Sequence, residues 1–195
     1  MKKLLITGFE PFGGEVINPS WQAVECLPLT INGYSLTKLR LPVVFGKAAQ
    51  SVIAAADSLR PDAILAIGQA GGRATVMPEL VGINLRHANI PDNSGSSPKD
   101  EPVIEGEAAA YFSTLPVRKI AAAISEKGIP AGVSYSAGAY VCNDVFFSLL
   151  AHFKDTKTRV GFIHIPYSTE QNKEPCMAHA DIVTAIITAV ENLDE

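Results

Sequence analysis

Cys142 stands in SAGAYVCN, residues 136–143, where an apolar strand-like run gives way to the helical pattern VFFSLLAHF. A cysteine at a helix start faces unpartnered backbone amides and the positive end of the helix dipole. Both favour thiolate over thiol and lower a reference pKa of about 8.5, and the thiolate is the form that attacks carbonyls. Cys142 is therefore a candidate nucleophile. GFIHIP places His164 near the end of a β-rich run, and GQAGGRATVMPELVGIN places Glu79 after a Gly-rich loop. A thiol, an imidazole and a carboxylate on strand ends and loops are the parts of a cysteine hydrolase. The remaining cysteines compete poorly. Cys176 in EPCMAHA sits at a helix-like start with His179 three residues on, a spacing that joins side chains on one helical face. Cys26 falls within a helical apolar pattern and is expected in the core.

These residues need a frame that brings them together. KLLIT, TKLRLPVV, AILAIG, VGINLR, GVSYSAG and VGFIHI are short, rich in Val and Ile, bounded by Gly or Pro, and read as strands. NPSWQAVECL, KAAQSVIAAADSLR, VRKIAAAISEKG, CNDVFFSLLAHFKD and MAHADIVTAIITAVENL read as helices, the second stopped by Pro61. Alternation of this kind predicts an α/β domain with a mainly parallel sheet covered on both faces, and ligands at the carboxyl ends of its strands. Residues 89–116, polar and Pro-rich, read as one long surface loop. TGFEPFGG, GQAGGR, SAGAYVCN and HIPYS each follow a predicted strand, so all four motifs are expected on one rim of the sheet.

Bulk properties narrow the function classes. At 195 residues and 47% hydrophobic, the chain suits a single domain spanning 1–195. A net charge of -4 with no Lys/Arg stripe gives nucleic-acid binding little support. The N-terminal apolar run LLI is too short for a signal-peptide core or a membrane span, so a cytoplasmic protein with no membrane partner is expected. Its 3 cysteines, without a CxxC, fit reduced thiols better than a disulfide framework. Neither a zinc-ligand pattern nor a P-loop is present, and no metal or cofactor is expected.

The chain resembles the pyrrolidone carboxyl peptidases, or pyroglutamyl peptidase I, nearly end to end. The likeness runs through TGFEPFGG, NPSW at 18–21, GQAGGR with Glu79 and INL, IPDN at 90–93, SAGAYVCN and GFIHIP. It implies a three-layer α/β/α sandwich, commonly a homotetramer, acting as a thiol-dependent peptidase that removes an N-terminal pyroglutamyl residue from peptides through a thioester. The family triad then falls on Cys142, His164 and Glu79. A pyroglutamyl terminus is a flat, neutral ring, so its site should be mostly apolar with a few polar groups for the lactam N–H and C=O. The resemblance places Phe9 and Phe12 as apolar walls, which also fit plain core packing. Ile90, Tyr140 and Val141 are possible neighbours, and Asn18 and Gln69 are the polar candidates.

Some positions depart from the family pattern. Asn89 stands where an arginine usually precedes IPDN, and Ala139 and Val43 replace threonines. The triad is intact. Two rival readings remain from other classes. Gly-rich turns after strands also suit a phosphate- or nucleotide-binding module, although neither GFEPFGG nor GQAGGR has the GxGxxG or GxxxxGK spacing. The loss of the arginine at Asn89 would also suit a catalytically weakened or silent member of the same fold.

Overall fold

The computed structural model describes residues 1–194. The chain runs β1 (Lys2–Phe9), α1 (Pro19–Cys26), β2 (Thr30–Ile31), β3 (Tyr34–Leu41), α2 (Lys47–Leu59), β4 (Ala63–Gln69), β5 (Met77–Pro78), β6 (Val81–Ile83) and β7 (Ala110–Phe112). It continues through α3 (Val117–Glu126), α4 (Val141–Phe153), β8 (Arg159–Ile165), β9 (Tyr167–Ser168), β10 (Cys176–Met177) and α5 (His179–Glu191), with a 3-10 turn at Thr169–Gln171. A six-stranded sheet has the order β2-β3-β1-β4-β8-β5. Strands β3, β1, β4 and β8 are mutually parallel, and antiparallel β2 and β5 close the two edges.

Continuous apolar runs such as Leu4, Leu5 and Ile6 or Ile64, Leu65 and Ala66 are fully buried because helices cover both faces of the sheet. Leu4, Ile6, Leu65, Ile67 and Ile163 pack toward α1, α3 and α5. The alternate residues Leu5, Ile64, Ala66 and Phe162 pack toward α2 and α4. This is the α/β/α sandwich expected from the alternating sequence. Close contact of α1 with β1 depends on Gly8, where a Cβ would lie 2.7 Å from the backbone of Ser20 and Trp21. Helix α1 begins where Asn18 Oδ1 accepts hydrogen bonds from Ser20 N at 3.0 Å and Ser20 Oγ at 2.8 Å, with Pro19 next in line.

The chain departs from the sequence expectation in three places. GVSYSAG is extended but joins no sheet as a strand. It makes one isolated bridge, at Ser134, with another at the preceding Ala131, because the Ser134 and Ser136 hydroxyls bond nearby backbone groups and so compete with a ladder. VGINLR contributes only β6, which pairs with β7 in a separate two-stranded antiparallel unit. Strand β7 lies inside the stretch expected to be wholly irregular.

Helix α4 is anchored through the two residues after Cys142. Asn143 Oδ1 accepts from Ile83 N at 3.0 Å, while its Nδ2 donates to Ile83 O at 2.9 Å and Leu85 O at 3.0 Å. Asp144 accepts from Arg86 Nε at 2.5 Å and from Gly46 N at 2.8 Å. Both side chains are fully buried. Replacing Asn143 by Leu strands three backbone groups of the β6 segment, and each unsatisfied group costs about 1–3 kcal/mol. Urea unfolding of Asn143→Leu should therefore show a loss of about 3 kcal/mol or more. A change below about 1 kcal/mol would mean that these bonds do not hold the helix.

Candidate active site

Strand β5 runs antiparallel to β8, with Met77 opposite His164 and Pro78 opposite Ile163. The ladder continues one residue further, where Glu79 N donates to Phe162 O at 2.9 Å. Ser134 holds the other side of this segment, donating to Pro78 O at 2.9 Å and accepting from Leu80 N at 2.8 Å. Glu79 thus sits opposite Phe162, on the face that carries Phe162 and His164, since alternate residues of a strand share a face. Its side chain is fully buried, and its Oε1 accepts from His164 Nδ1 at 2.7 Å. A carboxylate only accepts, so the Nδ1 position carries the hydrogen and Nε2 of the neutral ring is left with a lone pair. Arg73 Nη1 lies 3.5 Å from the same Glu79 oxygen.

Cys142 is the second residue of α4, which no side chain caps. Its sulfur rests over β4 at Gly68, and Gly68 is the cross-strand partner of His164. A Cβ on Gly68 would stand 2.9 Å from Cys142 Sγ and 2.7 Å from Phe162 Cζ. The sulfur thus rests over the strand that neighbours the one carrying His164.

The state of this thiol differs from the sequence expectation. Burial, followed by the negative charge of Glu79, pushes Cys142 up to about 12 from its ordinary 9.0. Its own backbone N–H opposes them without prevailing. The helix start was expected to favour a standing thiolate, but the approach of the sulfur to Gly68 and Phe162 removes it from water, and desolvation outweighs the dipole.

Cys142 and His164 border a cavity of about 190 Å³. That is below the roughly 300–1,000 Å³ of sites for drug-sized ligands, so it suits a single small ring. Of the residues expected to bind substrate, Phe9, Phe12, Asn18, Gln69, Tyr140 and Val141 line it. Ile90 does not. It is 47% exposed and lies outside the Phe12 loop, with Cδ1 3.7 Å from where a Gly13 side chain would begin. The ring of Tyr140 stands between Phe12 and Phe45, at centroid separations of 6.1 and 5.3 Å, and its hydroxyl donates to Pro91 O at 3.0 Å. IPDN tethers this wall: Asn93 Nδ2 donates to Glu10 Oε1 and Pro11 O, while Asp92 accepts from Phe45 N, Ser94 N and Ser96 N. Asn18 is committed to its cap and to Glu10 O, which its Nδ2 reaches at 2.9 Å.

Other sequence readings fall as follows. Val43 lines the cavity, whereas Asn89 and Ala139 stand away from it. Cys26 is exposed rather than in the core, because the buried stripe of α1 is Pro19, Ser20, Ala23 and Val24. Cys176 lies in β10, ahead of α5, so the helical i, i+3 pairing with His179 does not form. Burial and the Glu174 carboxylate, 3.4 Å from its sulfur, raise its pKa. Two residues at the site had no role in the sequence reading. Gly68 had no role of its own beyond being shared by AILAIG and GQAGGR, and Arg73 none beyond ending GQAGGR. A glycine on a strand predicted to end at the site was the available signal for the first.

The model of the family described as pyroglutamyl peptidase matches residues 2–195. The pyrrolidone-carboxylate peptidase of Erwinia tasmaniensis is 50% identical, the match covering 97% of this chain and 92% of that protein. The pyrrolidone-carboxylate peptidase of Thermococcus kodakarensis is 46% identical over 99% of this chain and 96% of its own. The crystal structure of pyroglutamyl peptidase I from Bacillus amyloliquefaciens superposes with a TM-score of 0.94 at 42% identity, covering 99% of this chain and 97% of that one.

The raised pKa of Cys142 sets an expectation for the ligand-free protein. With its folded value near 12 against an ordinary 9.0, the thiol stays protonated at neutral pH and ionises only under strongly alkaline conditions. A difference ultraviolet titration of the protein against Cys142→Ala should show no thiolate band at neutral pH. A thiolate already present in mildly acidic buffer would contradict this.

Proposed function

Because the chain belongs to the pyroglutamyl peptidase family and is a pyroglutamyl peptidase, we propose that Cys142, His164 and Glu79 carry its hydrolysis of the bond after an N-terminal pyroglutamyl residue. The observation that supports this reading is the buried 2.7 Å contact from His164 to Glu79, beside a cysteine that faces the same cavity. The ring of the substrate occupies the cavity, with Phe9 and Phe12 against it. Its scissile carbonyl lies at Cys142.

The steps follow from these positions. Nε2 of His164 takes the thiol proton as the sulfur attacks the carbonyl carbon, so that the nucleophile forms only when substrate is in place. The oxyanion is met by backbone amides at the uncapped start of α4, that of Cys142 among them. Collapse of this intermediate breaks the C–N bond, the imidazolium gives its proton to the leaving amine, and a thioester on Cys142 remains. Water then attacks the thioester with His164 again as base, releasing free pyroglutamate and restoring the thiol. Glu79 holds one tautomer and orientation of His164 throughout, and it balances the imidazolium.

The reading extends to the setting of the enzyme. Residues 1–195 act as one domain, since one central sheet and its two helical layers carry or adjoin every named site residue. The described cysteines are all free, which suits a reducing, cytoplasmic location. No described helix is long and apolar enough to cross a membrane. Assembly as a homotetramer fits the exposed Phe112 and Tyr135, and sedimentation would test it.

Cys142→Ala should abolish release of the chromophore from a pyroglutamyl arylamide, and iodoacetamide should do the same to the unmodified protein. An active alanine variant would end the assignment of the nucleophile. Gly68→Ala should lower kcat by about a hundredfold, the scale of a 1 Å misplacement at a reacting group. Its Cβ has no room without displacing Sγ or Phe162. Full activity in that variant would place the sulfur elsewhere during catalysis.

A further inference from the structure

Gln69 lines the cavity at the end of β4, next to Gly68. An isolated glutamine could present either its carbonyl or its amide hydrogens to a ligand, and the two ends have opposite consequences for a lactam. Here the choice is made outside the cavity. Gln171, in the 3-10 turn after β9, accepts the backbone N–H of Ser168 on its Oε1 at 3.1 Å. A backbone N–H can only donate, so this contact fixes which branch of the Gln171 amide is oxygen. The other branch is then the Nε2 donor, and it meets Gln69 Oε1 at 2.9 Å. Gln69 must in turn offer its carbonyl to Gln171, leaving Nε2 as the end available to a ligand.

We propose that Gln171, although outside the cavity, is the positioning residue that makes Gln69 a hydrogen-bond donor to the carbonyl of the pyroglutamyl ring. The relay of Ser168 N–H to Gln171 to Gln69 converts a fixed main-chain direction into a polarity at the site. It selects for a ring carbonyl, the group that separates pyroglutamate from proline. A site arranged to donate to that oxygen rejects a ring lacking it, because its donor is then left unpaired. The same contact ties the 167–172 segment to the rim of the central sheet, so ring recognition depends on that segment keeping its place.

This inference rests on the peptidase reading, and the test separates the two. Gln171→Glu keeps the shape and still accepts from Ser168 N, yet it cannot donate. Gln69 must then rotate its Nε2 toward the new carboxylate and turn its oxygen to the ring carbonyl. With a pyroglutamyl arylamide, Gln171→Glu should raise KM by about tenfold, the loss of one useful hydrogen bond, with kcat within about twofold. Gln171→Met, which only frees Gln69, should raise KM less. In a Gln69→Met background, Gln171→Glu should add nothing. Thermal unfolding of each variant checks the fold, and if Gln171→Glu does not fold, the cycle is completed with Gln171→Met. An unchanged KM in Gln69→Met or Gln171→Glu, an undiminished Gln171→Glu effect without Gln69, or a loss confined to kcat would overturn the positioning role. Those outcomes would leave the peptidase reading standing, whereas failure of the unmodified protein to cleave the arylamide would overturn that reading itself.

Discussion

Glu79 keeps a carboxyl group wholly out of contact with solvent, where an ion without partners would cost several kcal/mol. Its hydrogen bond from His164 at 2.7 Å is what makes that placement tolerable, with Arg73 3.5 Å from the same oxygen on the cavity side. The contact demands a particular construction. A short edge strand has to run antiparallel beside the last parallel strand, and the extended Ser134 segment has to support it from the other side. Gly68 must lack a side chain so that the Cys142 sulfur can rest over β4, beside the strand that carries His164. The fold around the site gives one oxygen of a buried carboxylate its partner, while Glu79 Oε2 keeps no hydrogen bond and one ring nitrogen is left unused.

The two layers of the sandwich divide the work at the rim. Gly68 and His164 share the face that packs toward α2 and α4, which delivers Cys142. Gln69, one residue along β4, belongs by alternation to the opposite face, and Asn18 arrives there from the start of α1. In the proposed reaction the nucleophile and its base come from one side of the sheet and the Gln69 amide from the other, meeting where β1, β4 and β8 end. The Phe12 wall reaches them through a loop, and for that reason it is tied down by Asn93, Asp92 and the hydroxyl of Tyr140.

Period and punctuation in the sequence made the helices legible, because α2, α3 and α5 each carry an apolar stripe and Pro61 stops α2. The central strands were legible for the opposite reason, as short runs apolar on both faces. What escaped was structure made by pairs of distant segments. A two-residue strand such as β5 carries no periodicity, and β7 has meaning only beside β6. GVSYSAG has strand-like composition, but its serine hydroxyls take local partners that no pattern count registers. At the site, Cys142, His164 and Glu79 could be picked out as candidates by type and context. Arg73 could not, since a single arginine after glycines reads as surface until the fold turns it into the cavity.

Helix position alone would have made Cys142 a standing thiolate, and the packing around it reverses that. Its sulfur is desolvated by Gly68 and Phe162 and repelled by the Glu79 charge that His164 requires. The two demands on Glu79 therefore conflict in the empty site: it prepares the base and opposes the nucleophile. In the proposed reaction substrate resolves the conflict, because the proton passes to Nε2 as the C–S bond forms, and negative charge then gathers on the carbonyl oxygen instead of remaining on sulfur. Ionisation of the thiol is thereby coupled to occupation of the cavity.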